Sequence, residues 1–554
     1  MVAMSVAKSS FIFAAGTLLS RFSGVARESV IGAVFGASMP MDAFVVAFRI
    51  PNLLRELLAE GALGSSFTKV YASLCVKDSE SASKLLVQTL QFVVMVSTAI
   101  CGLGILFAGD LVHLMTMFDG SAASSPEFNR MTVSLTQILF PFIGFASLGA
   151  IVQGALYQRG GFFLAGVAPI LFNLFSIAGA LWLAPLATAM APQSIKSSLP
   201  DPAILGLAFG TLLGGAAQSG IQAWGIWKPL LAGKKIFQFS KLPWSPDVRK
   251  VLILMTPMVI AASAGQVNMI VNTNFATSLG TGAVTWLYFA FRLVQLPIGM
   301  FGVAVGAAVL PALSKSITEA HGKVDEKASR EVINAMDLVA WLMIPCTLGL
   351  ILSSTNITRL LYEAGRFTPA DTIATAAAIN AYSYGLLGYG LLKVMNSYYY
   401  ATGRTKFPMI VSLMSIAANY LANSILVKQI GHEGLATTAS IILTLNSVLL
   451  IMGMSKDQVT VSWKQVLSSV GLLVFGSILV TGFHTLYAPH VNAISFSQIL
   501  MMIPPGTASL KIDSAIRIAI DGTVIACSFG FIGLARIGKT PREALQMLKR
   551  RKRS

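Results

Sequence analysis

The chain has 554 residues, 55% of them hydrophobic and only 11% charged, with a mean hydropathy of +0.72. Soluble domains carry about a quarter charged residues, so a soluble globular fold is excluded: no single core of this length absorbs so much apolar surface. The net charge of +17, from 40 Lys and Arg against 23 Asp and Glu, gathers between hydrophobic segments and in the tail Lys549–Arg553, a placement that fits membrane topology and anionic headgroups rather than nucleic acid.

In hydrocarbon a backbone has to satisfy its own hydrogen bonds, which leaves helices or closed barrels. The apolar runs here are long and continuous, without the alternation of barrel strands. At about 20 apolar residues per span, helices are predicted at about 9–36, 40–75, 85–112, 131–157, 162–186, 203–227 and 249–277. They continue at about 283–314, 332–354, 370–401, 407–427, 433–454, 465–487 and 513–537, giving about fourteen spans. The first run, from Phe11, passes through Arg21 without a cleavage pattern and reads as a retained helix. With the N-terminus inside, the inner loops and tail hold roughly 26 Lys and Arg and the outer loops about 6, which places both termini in the cytoplasm.

The first two spans carry charge that lipid does not tolerate. The first contains Ser20, Arg21, Ser23, Gly24, Arg27 and Glu28; the second contains Asp42, Arg49, Asn52, Arg55, Glu56 and Glu60. Arg292 lies in the eighth span and Lys393 in the tenth. A charge at the bilayer centre costs about 2.5–3.5 kcal/mol on insertion scales, so these residues are expected to line a polar cavity. Arg21 and Arg27 lie about 9 Å apart along a helix, within reach of one cavity for long side chains. Pro51 lacks an amide donor and predicts a break in the second span. Guanidinium groups stay protonated and present a planar fork suited to phosphate, so Arg21, Arg27, Arg55 and Arg292 suit a diphosphate, with Asp42, Glu56 and Glu60 as counter-charges. The competing structural readings are snorkelling for Arg27, Arg49 and Arg55, ion pairing for the acids, and an interfacial anchor for Lys393. Arg517 and Asp521, four apart in the last span, predict a local ion pair.

The four cysteines and five histidines are scattered without ligand spacing, so neither a metal site nor a cofactor is expected. An internal echo appears about 245 residues apart: Phe48-Arg49 with Phe67-Thr68-Lys69 parallels Phe291-Arg292 with Leu313-Ser314-Lys315. Parallel repeats of this kind build two-lobed transporters with a site where the lobes meet. The expected domains are an N-lobe at 1–228, a cytoplasmic linker at 229–248, a C-lobe at 249–455, and two further helices with a basic tail at 456–554.

These residues also carry a resemblance. Ser20-Arg21, Gly24, Ala26-Arg27, Asp42-Ala43-Phe44, Ala47-Phe48-Arg49, Pro51-Asn52-Leu53-Leu54-Arg55 and Ala59-Glu60-Gly61-Ala62 closely resemble the MurJ (MviN) family of lipid II flippases. The similarity runs on through Ala168-Pro169, Asn173, Phe291-Arg292-Leu293, Leu310-Pro311, Lys393-Val394 and Tyr400-Ala401. It implies an all-α membrane protein of the multidrug/oligosaccharidyl-lipid/polysaccharide exporter superfamily: two pseudo-symmetric six-helix lobes plus two C-terminal helices that form a lipid-tail groove. It implies a flippase, not an enzyme, that carries undecaprenyl-diphosphate-linked disaccharide pentapeptide to the outer leaflet of the bacterial inner membrane by alternating access, as a monomer. By motif match Arg21, Arg27, Arg55 and Arg292 take the cavity arginines, Asp42 and Glu60 the functional acids, with Ser20, Arg49, Asn52 and Lys393 in support. Two departures stand out: Phe291 and Gln295 occupy positions that are often acidic in relatives, leaving Arg292 less tightly paired. The seventh span offers Gln266, Asn268, Asn272 and Asn274 but no carboxylate, which argues against a sodium site of the kind some members have. The coupling ion is left open, with membrane potential as the expected drive. The alternatives at this point are an exporter of other lipid-linked sugars or drugs, a polyprenyl-phosphate enzyme, and a scaffold.

Overall fold

A computed structural model describes residues 6–57, 63–118, 125–190, 201–231, 244–321, 324–454, 463–495 and 506–537. Every regular element among the described residues is helical. Among the described residues, nine helical stretches are long and apolar enough to cross a membrane, and in most of them burial inside the protein does not account for the apolarity. Glu80–Leu106, for example, has a hydropathy of 2.0 over its most apolar window, yet only 22% of that window is buried. The remainder needs hydrocarbon as its solvent, which makes this an all-α, multi-pass membrane protein.

The chain forms two compact units: Met1–Thr285 with Ala364–Thr368, and Trp286–Glu363 with Pro369–Ser554. The first contains α1 (Val6–Phe35), α2 (Met39–Arg55), α3 (Gly64–Lys77), α4 (Ser79–Leu106), α5 (Ala108–Met115), α6 (Pro126–Leu139), α7 (Phe142–Gln158), α8 (Phe162–Ala178), α9 (Ala184–Met190), α10 (Ala203–Leu231) and α11 (Pro246–Thr277). Leu63, Phe67, Tyr71, Leu85, Ile151 and Val251 belong to one apolar core that ties α3, α4, α7 and α11 together. The lobe boundary read from sequence fell before residue 249, whereas the compact unit keeps α11 with the helices that precede it. Asp78 begins α4 as a cap, accepting from Glu80 N at 2.9 Å and Ser81 N at 3.1 Å. The Ser81 hydroxyl and those amides hold its carboxyl below the usual carboxylate range.

Close backbone packing in this unit occurs where α10 meets α8 and the π turn Gly179–Leu183 that follows it. Gly206, Gly210 and Gly214 recur every four residues and so share one face of α10. A Cβ on Gly206 would stand 2.2 Å from the Ala184 backbone nitrogen, and one on Gly210 would stand 2.5 Å from the Gly179 Cα. In a membrane, helices associate through such close backbone approach, because lipid supplies no hydrophobic drive. Gly210→Val is therefore expected to destabilise the protein by about 3 kcal/mol, read as a lower thermal unfolding temperature in detergent. Gly220→Val on the same helix, where a Cβ meets nothing within 4 Å, is the control that leaves the temperature unchanged.

The second unit contains most of α12 (Ala283–Pro297), then α13 (Val303–Glu319), α14 (Glu326–Leu361), α15 (Pro369–Ser383), α16 (Leu386–Ala401), α17 (Lys406–Ile430), α18 (His432–Met454), α19 (Trp463–Ala493) and α20 (Thr507–Ile537). Leu473, Val480, Ile525 and Phe529 pack with Trp341, Ile344 and Leu348, binding α19 and α20 to α14. Asp371 accepts from the Trp286 indole at 2.9 Å. Tyr398 and Tyr399 are fully buried, and the Tyr399 hydroxyl donates to Leu450 O at 2.8 Å.

Two local expectations are corrected. Helix α2 runs unbroken through Pro51, because a single lost donor does not end a helix with most of its residues buried. The irregularity comes a turn later, as π geometry at Glu56 and Leu57. A π turn also follows α12 at Ile298–Gly302, the corresponding position of the internal echo. Arg517 and Asp521 do not pair with each other. Arg517 donates to the carbonyls of Asn492 and Ile494 at 3.0 and 3.3 Å, while Asp521 accepts from Ser353 and Tyr487, each at 2.5 Å. Neighbouring helices offer better partners than the local spacing does.

Candidate functional site

In the first unit the charged residues are held by two polar anchors. The first lies where α1 meets α8. The Asn173 side chain donates to Ser20 O at 3.2 Å and to Ser23 Oγ at 2.8 Å. Ser23 in turn donates back to Ser20 O at 2.8 Å. Gly24 faces this contact, with a Cβ there standing 3.7 Å from the Asn173 nitrogen, an ordinary van der Waals distance. The anchor fixes the stretch of α1 that carries Arg21 and Arg27. Arg27 pairs with the adjacent Glu28, which is 3% exposed, and lies 5.1 Å from the centre of the Phe172 ring. Its Nε is buried and, among the described residues, has no hydrogen-bond acceptor. Arg21 is half-buried and makes no ion pair among the described residues.

The second anchor joins α2 to α11. Arg55 Nε donates to Asn52 Oδ1 at 2.9 Å, and Asn52 Nδ2 donates to Glu56 Oε1 at 2.9 Å. Arg55 Nη2 lies 3.8 Å from the same Glu56 oxygen. Gln266 of α11 donates to the other Glu56 oxygen at 3.3 Å. Arg49 donates to Thr273 Oγ1 at 2.5 Å. The Glu56 carboxylate is therefore the hub that orients Arg55, a role the sequence could not assign between counter-charge and ion-pair partner. Glu60 lies outside the described residues.

Asp42 has a different setting from the cavity acid that was expected. It is 2% exposed. Its Oδ2 accepts from Gly282 N at 2.5 Å, and its Oδ1 accepts from Thr285 N at 2.9 Å and the Thr285 hydroxyl at 2.6 Å. It holds the turn Gly282–Thr285, where Gly282 takes a φ of 94°. Both carboxylate oxygens serve a fold contact within the first unit.

In the second unit, Arg292 donates to the Tyr288 hydroxyl at 3.3 Å and lies 4.9 Å from the centre of that ring. It also reaches Gln295 Oε1 at 3.5 Å. These two partners, one turn away on either side, are neutral. Lys393 lies 5.1 Å from the centre of the Tyr389 ring. Its backbone packs against Gly306, where a Cβ would stand 3.1 Å from the Lys393 carbonyl oxygen.

On α11, Gln266 is engaged with Glu56, and Asn274 bonds the backbone of Leu114 and Met117, each at 2.8 Å. No group of three or more metal-ligating side chains occurs among the described residues. The described arginines are presented by helices, braced by amides, hydroxyls and aromatic rings. A guanidinium presented in this way is suited to an oxyanion through charge-assisted hydrogen bonds.

Known proteins resemble this chain over most of its length. A family model described as "Lipid II flippase MurJ" matches residues 31–503. That stretch includes Asp42, Asn52, Arg55, Arg292 and Lys393, and leaves Arg21 and Arg27 just before it. The chain is 34% identical over 445 residues to the lipid II flippase MurJ of Burkholderia cenocepacia, covering 79% of this chain and 82% of that one. It is 31% identical over 497 residues to the probable lipid II flippase MurJ of Vibrio cholerae, covering 87% and 89%. Among solved structures, a lipid II flippase MurJ in an inward closed conformation aligns with a TM-score of 0.70 at 23% identity, covering 96% of this chain and all of that one. An inward-facing multidrug-resistance transporter of the MATE family aligns at 0.58 with 16% identity, covering 83% and 98%. At these identities the two structures establish the shared fold.

Proposed function

Because this chain belongs to the MurJ family of lipid II flippases, we propose that it moves lipid II from the cytoplasmic to the outer leaflet of the bacterial inner membrane by alternating access. The family match over 31–503 carries this reading. In this reading Arg21, Arg27, Arg55 and Arg292 are the residues that engage the diphosphate, with Ser20, Arg49, Asn52 and Lys393 in support. Glu56 and Glu28 keep Arg55 and Arg27 oriented when substrate is absent. Helices α19 and α20 guide the lipid tail. No bond is made or broken, and lipid II is the partner of a working monomer, with both termini in the cytoplasm.

The test is rescue of a conditionally flippase-depleted bacterium by the wild-type chain. Failure to rescue despite normal membrane insertion overturns the assignment. The fold is shared with drug transporters, but four arginines fit a diphosphate and repel cationic drugs.

Membrane potential resets the carrier in this reading. Moving one elementary charge through 100 mV releases about 2.3 kcal/mol, and an unloaded arginine-rich site carries net positive charge. In proteoliposomes, imposing a potential is expected to change the lipid II translocation rate severalfold. A rate indifferent to potential removes this drive.

A further inference from the structure

Within the second unit, α14, α19 and α20 line a cavity of about 310 Å³ whose polar groups the transport reading leaves without a role. It lies near the C-terminal ends of α14 and α19. Arg517 and Asp521 both line it, one turn apart on α20, and α20 lies beyond the residues matched by the family model.

The cavity carries fixed charge of both signs. Arg517 spends one nitrogen on the carbonyls of Asn492 and Ile494 at the end of α19, but its Nε is buried and has no acceptor among the described residues. Arg359 lines the same cavity and directs its Nε to Glu363 at 3.4 Å. Asp521 accepts one hydrogen bond on each oxygen, from Tyr487 and Ser353, with His484 Nε2 at 3.7 Å. Each carboxylate oxygen keeps a second lone pair. Two opposite charges on neighbouring turns that do not neutralise each other stand about 5–6 Å apart at their Cβ atoms. A phosphate and a primary ammonium joined by a two-carbon bridge span a similar distance. The volume equals about ten waters, enough for a small headgroup and far too little for a disaccharide pentapeptide.

We infer that this cavity is a binding site for a phosphoethanolamine lipid headgroup, with the phosphate on Arg517 and Arg359 and the ammonium on Asp521. A quaternary ammonium has no N–H to give Asp521, and a glycerol headgroup has no cation. The site therefore discriminates by headgroup, independently of any flipping activity.

The test uses the full chain in nanodiscs of equal parts phosphatidylethanolamine, phosphatidylcholine and phosphatidylglycerol, followed by stepwise delipidation and native mass spectrometry. One charge-assisted hydrogen bond corresponds to about a tenfold preference, so the wild type is expected to retain phosphatidylethanolamine about tenfold over the other two. Asp521→Asn brings that lipid down to the phosphatidylcholine level, and Arg517→Gln lowers retention of all three. Glycerophosphoethanolamine competes for the site in solution, whereas inorganic phosphate at the same concentration leaves the lipid in place. Equal retention of the three lipids by the wild type, or displacement by inorganic phosphate, overturns the inference. The wild-type comparison decides the matter even where a variant fails to fold.

Discussion

Arg21→Ala is expected to abolish lipid II translocation while leaving the protein folded in the membrane. Arg21 makes no ion pair among the described residues, so its removal strands no described carboxylate, and stability should change by less than about 0.5 kcal/mol. The Asn173 anchor to Ser20 and Ser23 stays intact, because it uses the Ser20 carbonyl and the Ser23 hydroxyl. The phosphate loses a bidentate donor worth about 3 kcal/mol or more, a drop in translocation of about a hundredfold. Arg21→Lys keeps the charge, loses the fork and falls between the two. Arg27→Ala is a less clean test, because it removes an ion-pair partner of the buried Glu28 and so lowers stability as well.

Asp42→Ala is expected to fail for another reason. It removes the acceptor of two backbone amides and one hydroxyl at a site that is 2% exposed. Losing a charged acceptor with several buried donors costs about 3–5 kcal/mol, a large part of a typical stability of about 5–15 kcal/mol. The expected result is low abundance and a lowered thermal unfolding temperature. Asp42→Asn keeps one acceptor oxygen and recovers part of both. If Asp42→Asn instead unfolded like wild type yet stopped transport, Asp42 would belong to the substrate path.

The helical membrane fold was legible because hydrocarbon imposes a length and an apolarity that composition alone reveals. The arginines were legible because their cost in lipid demands a reason. What the sequence concealed was the choice of partner. Neighbouring residues on a helix do not usually face each other, yet Arg27 and Glu28 pair. The four-residue spacing of Arg517 and Asp521 favours a pair, yet backbone carbonyls of α19 and hydroxyls of α14 and α19 take both. Asp42 looked like a counter-charge because its three donors lie about 240 residues away. The glycines of α10 were readable as a four-residue repeat, but which backbone they admit, that of α8 and its π turn, needed the fold.

The most direct measurement is translocation of lipid II in proteoliposomes that contain the purified wild-type chain, run beside Arg21→Ala and Arg292→Ala at matched, folded protein levels. The wild type is expected to bring lipid II to the opposite leaflet, and both variants are expected to fall to the rate of empty vesicles. Wild-type rates from either variant would contradict the assignment of the arginines to the diphosphate, and an inactive wild type would contradict the transport itself.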